Sequence, residues 1–233
     1  MRKKWLFLYL ALFLIFLSLF LVLFFSRGKN ETKLVALTFD DGPSAKYTPK
    51  ILEILEKYNA PATFFVVGDR VQAYPNVVRL AYEKGFAVAN HSFDHETMFG
   101  KADIEIIQEI QKTDTEIRLA VCGNNVLCNY KPAKFFRPPY GETNIQIKKV
   151  VAGLGYTEVL WNIYSYDNDA IDKNQSYKEI VWTIFSHQRY SKEIVLMHDA
   201  GRDHTKDIEA LPEIIERYRE LGYKLVTVAD IVK

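Results

Sequence analysis

The segment Thr38-Phe-Asp-Asp-Gly-Pro-Ser44 places two adjacent acids directly before a Gly-Pro turn. It completes the apolar run Leu34 to Phe39, which has the length and composition of a buried strand. Neighbouring side chains of a strand point to opposite faces, so Asp40 and Asp41 can serve one site only if the strand has ended there. The Gly-Pro pair supplies that end. The segment therefore predicts a pair of carboxylates at the C-terminal end of a strand.

The rest of the chain from Leu34 onward alternates short β-branched runs with longer amphipathic segments, which is typical of βα units. Apolar residues recur at helical spacing in Thr48 to Tyr58 and in Ile208 to Leu221. Seven units predict an α/β fold, a distorted or incomplete (β/α) barrel of about seven parallel strands. The predicted strands are Leu34 to Phe39, Ala62 to Val67, Phe86 to Ala89, Lys134 to Arg137, Glu158 to Ile163, Glu193 to Met197 and Lys224 to Val228.

The N-terminus differs in kind from the rest of the chain. A short basic segment, residues 1–4, precedes a nearly continuous apolar stretch at 5–25, which is long enough to span a bilayer. A cleaved signal peptide is the alternative, but its apolar region is shorter and ends in small residues, which are missing around Ser26. We therefore expect one N-terminal transmembrane helix, a polar linker at 26–33 and one catalytic domain at 34–233.

The distribution of charge limits the class of partner. The chain carries a net charge of +1, and because residues 1–33 contribute +5, residues 34–233 carry −4. A mildly acidic domain argues against nucleic acid as a partner, since nucleic-acid binding rests on a basic surface. Cys122 and Cys128 are close enough in sequence to form a small disulfide if the domain is exported, and the sequence leaves that open.

Further polar residues follow other predicted strands. His91 and His95 stand four residues apart, which places both on one face if their segment is helical, and with Asp41 they predict a two-histidine, one-carboxylate metal site. Such a site keeps positions open for water and lowers the pKa of that water toward about 7. Arg137 and His198 also lie at strand ends, where the loops of a barrel build one pocket.

The segments Thr38 to Ser44, Asn90-His-Ser-Phe-Asp-His95 and Arg137-Pro-Pro-Tyr-Gly141 together resemble the NodB-homology polysaccharide deacetylases, carbohydrate esterases that remove acetyl groups from sugar polymers. The resemblance covers residues 34–233. It implies metal ligands at Asp41, His91 and His95.

The same resemblance implies roles for the remaining site residues. Asp40 matches the general base, and His198 matches the general acid that protonates the departing amine. Arg137 matches the residue that holds the base, and Asp167 the acid that orients that arginine. The other matches are the oxyanion-binding backbone N–H of Tyr140 and substrate contacts at Pro138, Tyr140, Leu196 and Trp161.

The chain departs from the family pattern at Tyr164, where an aspartate is usual, and at Asn168, where a tryptophan is usual. Trp161 or Tyr166 is expected to replace the missing tryptophan in the wall of the acetyl pocket.

These features predict a membrane-anchored, single-pass, metal-dependent deacetylase whose catalytic domain acts outside the cell on an N-acetylated polysaccharide. Peptidoglycan or a chitin-like polymer of N-acetylglucosamine is the expected substrate, zinc the expected metal, with cobalt, nickel or manganese as alternatives, and a monomer the expected state. Two alternatives stay open: an O-acetyl esterase acting on a cell-wall sugar, and a non-catalytic anchored carbohydrate-binding module.

Overall fold

The computed structural model describes residues 13, 16, 32–125, 127–167, 176–187 and 189–232. The chain divides into two compact units, residues 1–32 and 33–233. The predicted basic N-terminus at 1–4, and all of the predicted anchor at 5–25 except residues 13 and 16, lie outside the described residues, as do residues 26–31 of the linker. Within the described ranges, no helix has the length and apolar character needed to cross a membrane.

The second unit is built on a parallel sheet flanked by helices. The strands are β1 (Leu34–Asp40), β2 (Ala62–Val66), β3 (Ala87–Asn90), β4 (Phe135–Phe136), β5 (Thr157–Glu158), β6 (Ile163–Tyr164), β7 (Lys192–His198) and β8 (Lys224–Leu225). The helices are α1 (Thr48–Lys57), α2 (Gly68–Ala73), α3 (Pro75–Glu83), α4 (Asp103–Cys122), α5 (Ile145–Gly153), α6 (Tyr177–Ser186), α7 (Thr205–Glu220) and α8 (Val228–Ile231).

The order of the strands shows that the sheet curls. Hydrogen-bonded neighbours follow the order β5-β4-β3-β2-β1-β7-β6, and β8 pairs with the start of β1. In a flat sheet the two end strands would lie about 29 Å apart, at about 4.8 Å per strand. Only residues 159–162 join β5 to β6, and that connection reaches at most about 18 Å. The ends must therefore approach each other, which gives the distorted barrel.

The predicted fifth strand, Glu158 to Ile163, needs a correction. It divides into β5, which pairs with β4, and β6, which pairs with β7, while residues 159–162 pair with neither as a regular strand. The division raises the number of strands from seven to eight in the described part of the chain. The remaining predicted strands are confirmed, although the one expected from Lys224 to Val228 stops at Leu225.

The core lies between the sheet and the helices around it. Six residues of β1, from Val35 to Asp40, are buried, as expected for a central parallel strand covered on both faces. Helix α1 packs Ile51, Leu52 and Leu55 inward, and α7 does the same with Leu211, Ile214 and Ile215. Cys122, the last residue of α4, forms a disulfide with Cys128.

We expect Gly42→Ala to lower the free energy of unfolding by about 1–3 kcal/mol, because a Cβ at this position would overlap the carboxylate of Asp199. Gly153→Ala is the matched control, since a Cβ on this helical residue meets no atom within 4 Å and alanine favours helix. Urea unfolding of both variants measures the difference. Equal stability of the two variants would show that the turn adapts to a side chain.

Candidate active site

The predicted site residues converge at the C-terminal ends of the strands. Asp40 is the last residue of β1, His91 directly follows β3, and His198 is the last residue of β7. Arg137 follows β4, and its backbone N–H donates to the carbonyl of Asn90 at the end of β3. This is the end of a (β/α) barrel at which active sites are assembled, so the predicted convergence is confirmed.

Asp41, His91 and His95 form a compact group of metal-ligating atoms. One such atom from each residue lies within 4.8 Å of those from the other two. The Nε2 atoms of His91 and His95 lie 3.6 Å and 3.1 Å from Oδ1 of Asp41. The two imidazole rings are 4.9 Å apart between centroids. Two imidazoles and one carboxylate suit a divalent transition metal.

The surroundings of these side chains favour metal binding. Nδ1 of His91 lies 2.7 Å from the carbonyl of Arg137, which can only accept a hydrogen bond, so Nδ1 carries the hydrogen and Nε2 keeps its lone pair for a metal. Burial raises the pKa of Asp41, but hydrogen bonds with His91 and His95 and the charges of His91 and His198 outweigh burial and hold that pKa well below its usual range. The carboxyl of Asp41 is therefore ionised, as a ligand must be.

The condition that residues 91–95 be helical is not met, because this segment is irregular. Ser92 and His95 have φ angles of 66° and 60°, in the left-handed region that favours glycine. The side chain of Asn90 accepts from the N–H of Ser92, and the hydroxyl of Ser92 accepts from the N–H of His95. These two bonds bend the backbone so that His95 turns back toward Asp41.

Asp40 is held by Arg137, as the resemblance implies. Nη1 of Arg137 donates to Oδ1 of Asp40 at 2.7 Å and to Oγ1 of Thr38 at 2.9 Å, and Nε donates to the carbonyl of Val159 at 3.0 Å. Arg137 is fully buried. The other carboxylate oxygen of Asp40, Oδ2, lies 3.6 Å from Nε2 of His91. One oxygen of Asp40 is thus fixed while the second faces the metal-ligating group.

Asp167 occupies a different place from the one expected. The resemblance predicts that it orients Arg137, but its contacts are with His198: Oδ1 lies 2.8 Å from Nδ1, and Oδ2 accepts the backbone N–H at 2.7 Å. Burial lowers the pKa of His198, but the charge and hydrogen bond of Asp167 outweigh burial and raise it to about 9. His198 is therefore a protonated imidazolium at neutral pH, and because Asp167 engages Nδ1, Nε2–H is the ring's other donor.

We expect Asp167→Asn to move the alkaline limb of the pH–rate profile to lower pH. Asparagine removes the largest charge that raises the pKa of His198, so that pKa falls toward its ordinary value of about 6.5, although the charges of Asp40 and Asp41 remain. The protonated fraction at pH 7.5 falls by up to about tenfold. The profile of kcat against pH between pH 5 and 10 measures the shift, and an unchanged limb would separate His198 from the acid step.

The predicted substrate contacts divide into two groups. Tyr140 is exposed, has a φ of 61°, and lies with its ring 4.7 Å from that of His95. Pro138 and Leu196 are buried, and Trp161 packs against Gly141 and lies with its ring 5.5 Å from the guanidinium carbon of Arg137. Of these four residues, only Tyr140 lines the cavity beside the metal-ligating group.

That cavity has a volume of about 480 Å³ and includes Asp41, His95 and Tyr140 in its wall. The sequence interpretation missed the remaining lining residues, which are Val67, Asp69, Arg70, Asp94, Glu96 and Thr97. Their positions could have indicated this, since they lie in the segments after β2 and β3, at the end of the barrel that holds the site.

Aromatic rings lie where the usual tryptophan is missing. The ring of Tyr164 lies 4.3 Å from that of Tyr166 and 6.1 Å from that of Trp161. Both residues expected to replace the tryptophan therefore belong to one aromatic cluster. Asn168, which stands at the tryptophan position, lies outside the described residues.

Comparison with known proteins yields consistent matches. A family model described as polysaccharide deacetylase matches residues 27–159. A peptidoglycan-N-acetylglucosamine deacetylase of Bacillus cereus is 33% identical over 204 residues, which cover 88% of this chain and 90% of that protein. The solved structure of a family 4 carbohydrate esterase from Streptomyces lividans in complex with acetate is 34% identical, with a TM-score of 0.69 over 82% of this chain and 90% of that one.

A family 4 pseudoenzyme from Bacillus anthracis is also similar. Its structure is 26% identical, with a TM-score of 0.75 over 87% of this chain and 66% of that one. The fold alone therefore does not establish turnover, which depends on the site residues.

Proposed function

Because this chain belongs to the polysaccharide deacetylase family, whose active members hydrolyse acetyl groups from sugar polymers, we propose that it removes N-acetyl groups from N-acetylglucosamine units of peptidoglycan outside the cell. The observation that carries the proposal is the juxtaposition of three groups. The metal-ligating atoms of Asp41, His91 and His95 lie beside Asp40, which Arg137 holds, and His198, which Asp167 holds.

Asp41, His91 and His95 would hold a divalent cation, which would supply Lewis-acid chemistry at this place. Zinc suits this donor set of two imidazoles and a carboxylate. Oδ2 of Asp40 is the oxygen that faces the cation site. It accepts a proton from the attacking water while the oxygen of that water forms a bond to the acetyl carbon.

The negative charge then develops on the acetyl oxygen, and the backbone N–H of Tyr140 is the protein donor assigned to it. Two backbone hydrogen bonds fix the turn that contains Tyr140: the N–H of Gly141 donates to the carbonyl of Pro138, and the N–H of Glu142 donates to the carbonyl of Pro139. When the C–N bond breaks, Nε2–H of His198 gives its proton to the departing nitrogen. The products are acetate and a free amine on the sugar.

The proposed location outside the cell has two supports. The apolar stretch at 5–25 has the length of a membrane anchor. The Cys122–Cys128 disulfide suits an oxidising compartment.

The experiment measures acetate release by the purified full-length chain from N-acetylglucosamine oligomers, after chelation and again after adding zinc. Release that returns with zinc supports the proposal, and O-acetylated oligomers are assayed in parallel to test the esterase alternative. Retention of metal and oligomer without any acetate release would contradict turnover and favour the carbohydrate-binding module.

A further inference from the structure

A second buried histidine–aspartate pair, His204 and Asp207, lies next to the pair of His198 and Asp167. His204 directly precedes α7 and Asp207 lies in its first turn, and both side chains are almost fully buried. Nδ1 of His204 lies 3.1 Å from Oδ2 of Asp207, and Nε2 lies 2.7 Å from the carbonyl of Ala200. The proposed mechanism uses neither residue.

The hydrogen bonds leave one oxygen of this pair without a partner. The carbonyl of Ala200 can only accept, so Nε2 of His204 carries a hydrogen, and the hydrogen that joins Nδ1 to Oδ2 of Asp207 belongs to Nδ1, so that Oδ2 accepts. Oδ1 of Asp207 is buried and has no hydrogen-bond partner in the described part of the chain. A carboxyl oxygen of Asp167 lies within 4.8 Å of one of Asp207. Two ionised carboxylates cannot bond to each other, whereas a protonated one can donate to the other.

We propose that Asp207 is protonated, that its Oδ1–H donates to Asp167, and that Asp207 thereby positions the carboxylate that holds His198. Asp207 is then a positioning residue for the deacetylation, so its kinetic role rests on the proposed function. No bond other than the hydrogen bond changes, because the proton stays on Asp207 while Asp167 stays ionised.

The surroundings of the two acids assign the proton to Asp207. Asp167 already accepts from Nδ1–H and the backbone N–H of His198 and from the hydroxyl of Ser165, and these bonds stabilise its ionised form. Burial, with the charge and hydrogen bond of Asp167, raises the pKa of Asp207 well above its usual value. The proton therefore belongs to the acid with fewer donors.

A bound cation is the alternative, since Asp167, His204 and Asp207 together have the composition of a metal site. Both ring nitrogens of His204 are already engaged, and both oxygens of Asp167 bond to His198. A cation would have to displace these contacts, whereas a proton on Oδ1 of Asp207 displaces none.

The kinetic test compares two substitutions at Asp207 in the full-length chain. Asp207→Asn keeps an N–H donor toward Asp167 and should keep kcat within about threefold of the wild type. Asp207→Leu has the same branched side-chain shape, although it is larger, but no donor, and should lower kcat about 10- to 100-fold with little change in KM, since misplacing a catalytic group has that cost. Glu209→Leu, an exposed acid on the same helix, is the matched control and should have no effect.

Two results would overturn the proposal: an asparagine variant as impaired as the leucine variant, or a leucine variant with full kcat. Infrared spectroscopy decides the case if the leucine variant fails to fold. Burial raises the pKa of Asp199 to about 7, so that acid also contributes a carbonyl stretch at neutral pH. The difference spectrum of wild type minus Asp207→Asn should therefore contain the carbonyl stretch of one protonated carboxylic acid, and identical spectra would overturn the proposal. A metal equivalent lost in Asp207→Asn would overturn it in favour of a cation. The spectrum needs no substrate, so failure of the deacetylase proposal is separately visible as a wild type that releases no acetate.

Discussion

Asp40→Asn is expected to lower kcat for acetate release about 10²- to 10⁴-fold, the usual contribution of a general base, while metal content stays unchanged. An asparagine at this position still accepts a hydrogen bond from Arg137 but cannot take a proton from water. Asp40 also lies outside the group of metal-ligating atoms made by Asp41, His91 and His95. Acetate release and metal content, measured on the same preparation, test both parts of the expectation.

The control for this variant is Asp103→Asn, the same substitution at an exposed residue in the first turn of α4. It should release acetate at the wild-type rate. A fully active Asp40→Asn would remove the base assignment, and a variant that lost its metal would place Asp40 among the ligands instead.

The positions of the site residues along the chain could be predicted because they depend on local rules. An apolar run that ends in polar residues and a turn defines a strand end, and parallel strands bring such ends to one edge of the sheet. Asp40, His91 and His198 follow from that rule alone. Once these strand ends are brought together, the residue types found there, two histidines and an aspartate, predict the metal-ligating group.

The backbone between His91 and His95 could not be predicted in the same way. A spacing of four fits a helix, and it also fits a chain bent by side-chain hydrogen bonds to its own backbone. The bonds to Asn90 and Ser92 that produce the bend depend on two left-handed φ angles at non-glycine residues, which sequence patterns disfavour. Strain of this kind is concentrated at functional sites.

The partner of Asp167 was missed for another reason. The order of motifs along a chain does not state which side chains meet across the barrel. The segment 157–164 pairs with β4 at one end and with β7 at the other, so Asp167, just beyond β6, lies beside His198 at the end of β7. Because the predicted fifth strand is divided, Asp167 lies beside His198 and not beside Arg137.

His95→Ala is expected to remove both metal and activity, with metal affinity falling by more than the 10- to 100-fold typical of changes to the outer shell of a metal site. Loss of one imidazole leaves two protein ligands, which is too few to hold the ion in a defined geometry. His95 is preferred to His91 for this test because its side chain is about one quarter exposed, whereas that of His91 is buried and bonded to the carbonyl of Arg137. Removing His91 would also disturb the core.

The matched control is His187→Ala, a half-buried histidine at the end of α6, which stacks on Tyr166 and lies outside the metal-ligating group. The wild type and this control should each bind one zinc per chain, measured by metal analysis after dialysis against a weak chelator, while His95→Ala binds none. Added zinc should restore acetate release to the chelated wild type and control but not to His95→Ala. Because the two variants remove the same side chain, a difference between them assigns the metal to the group formed by Asp41, His91 and His95, whereas equal zinc content would place the metal elsewhere.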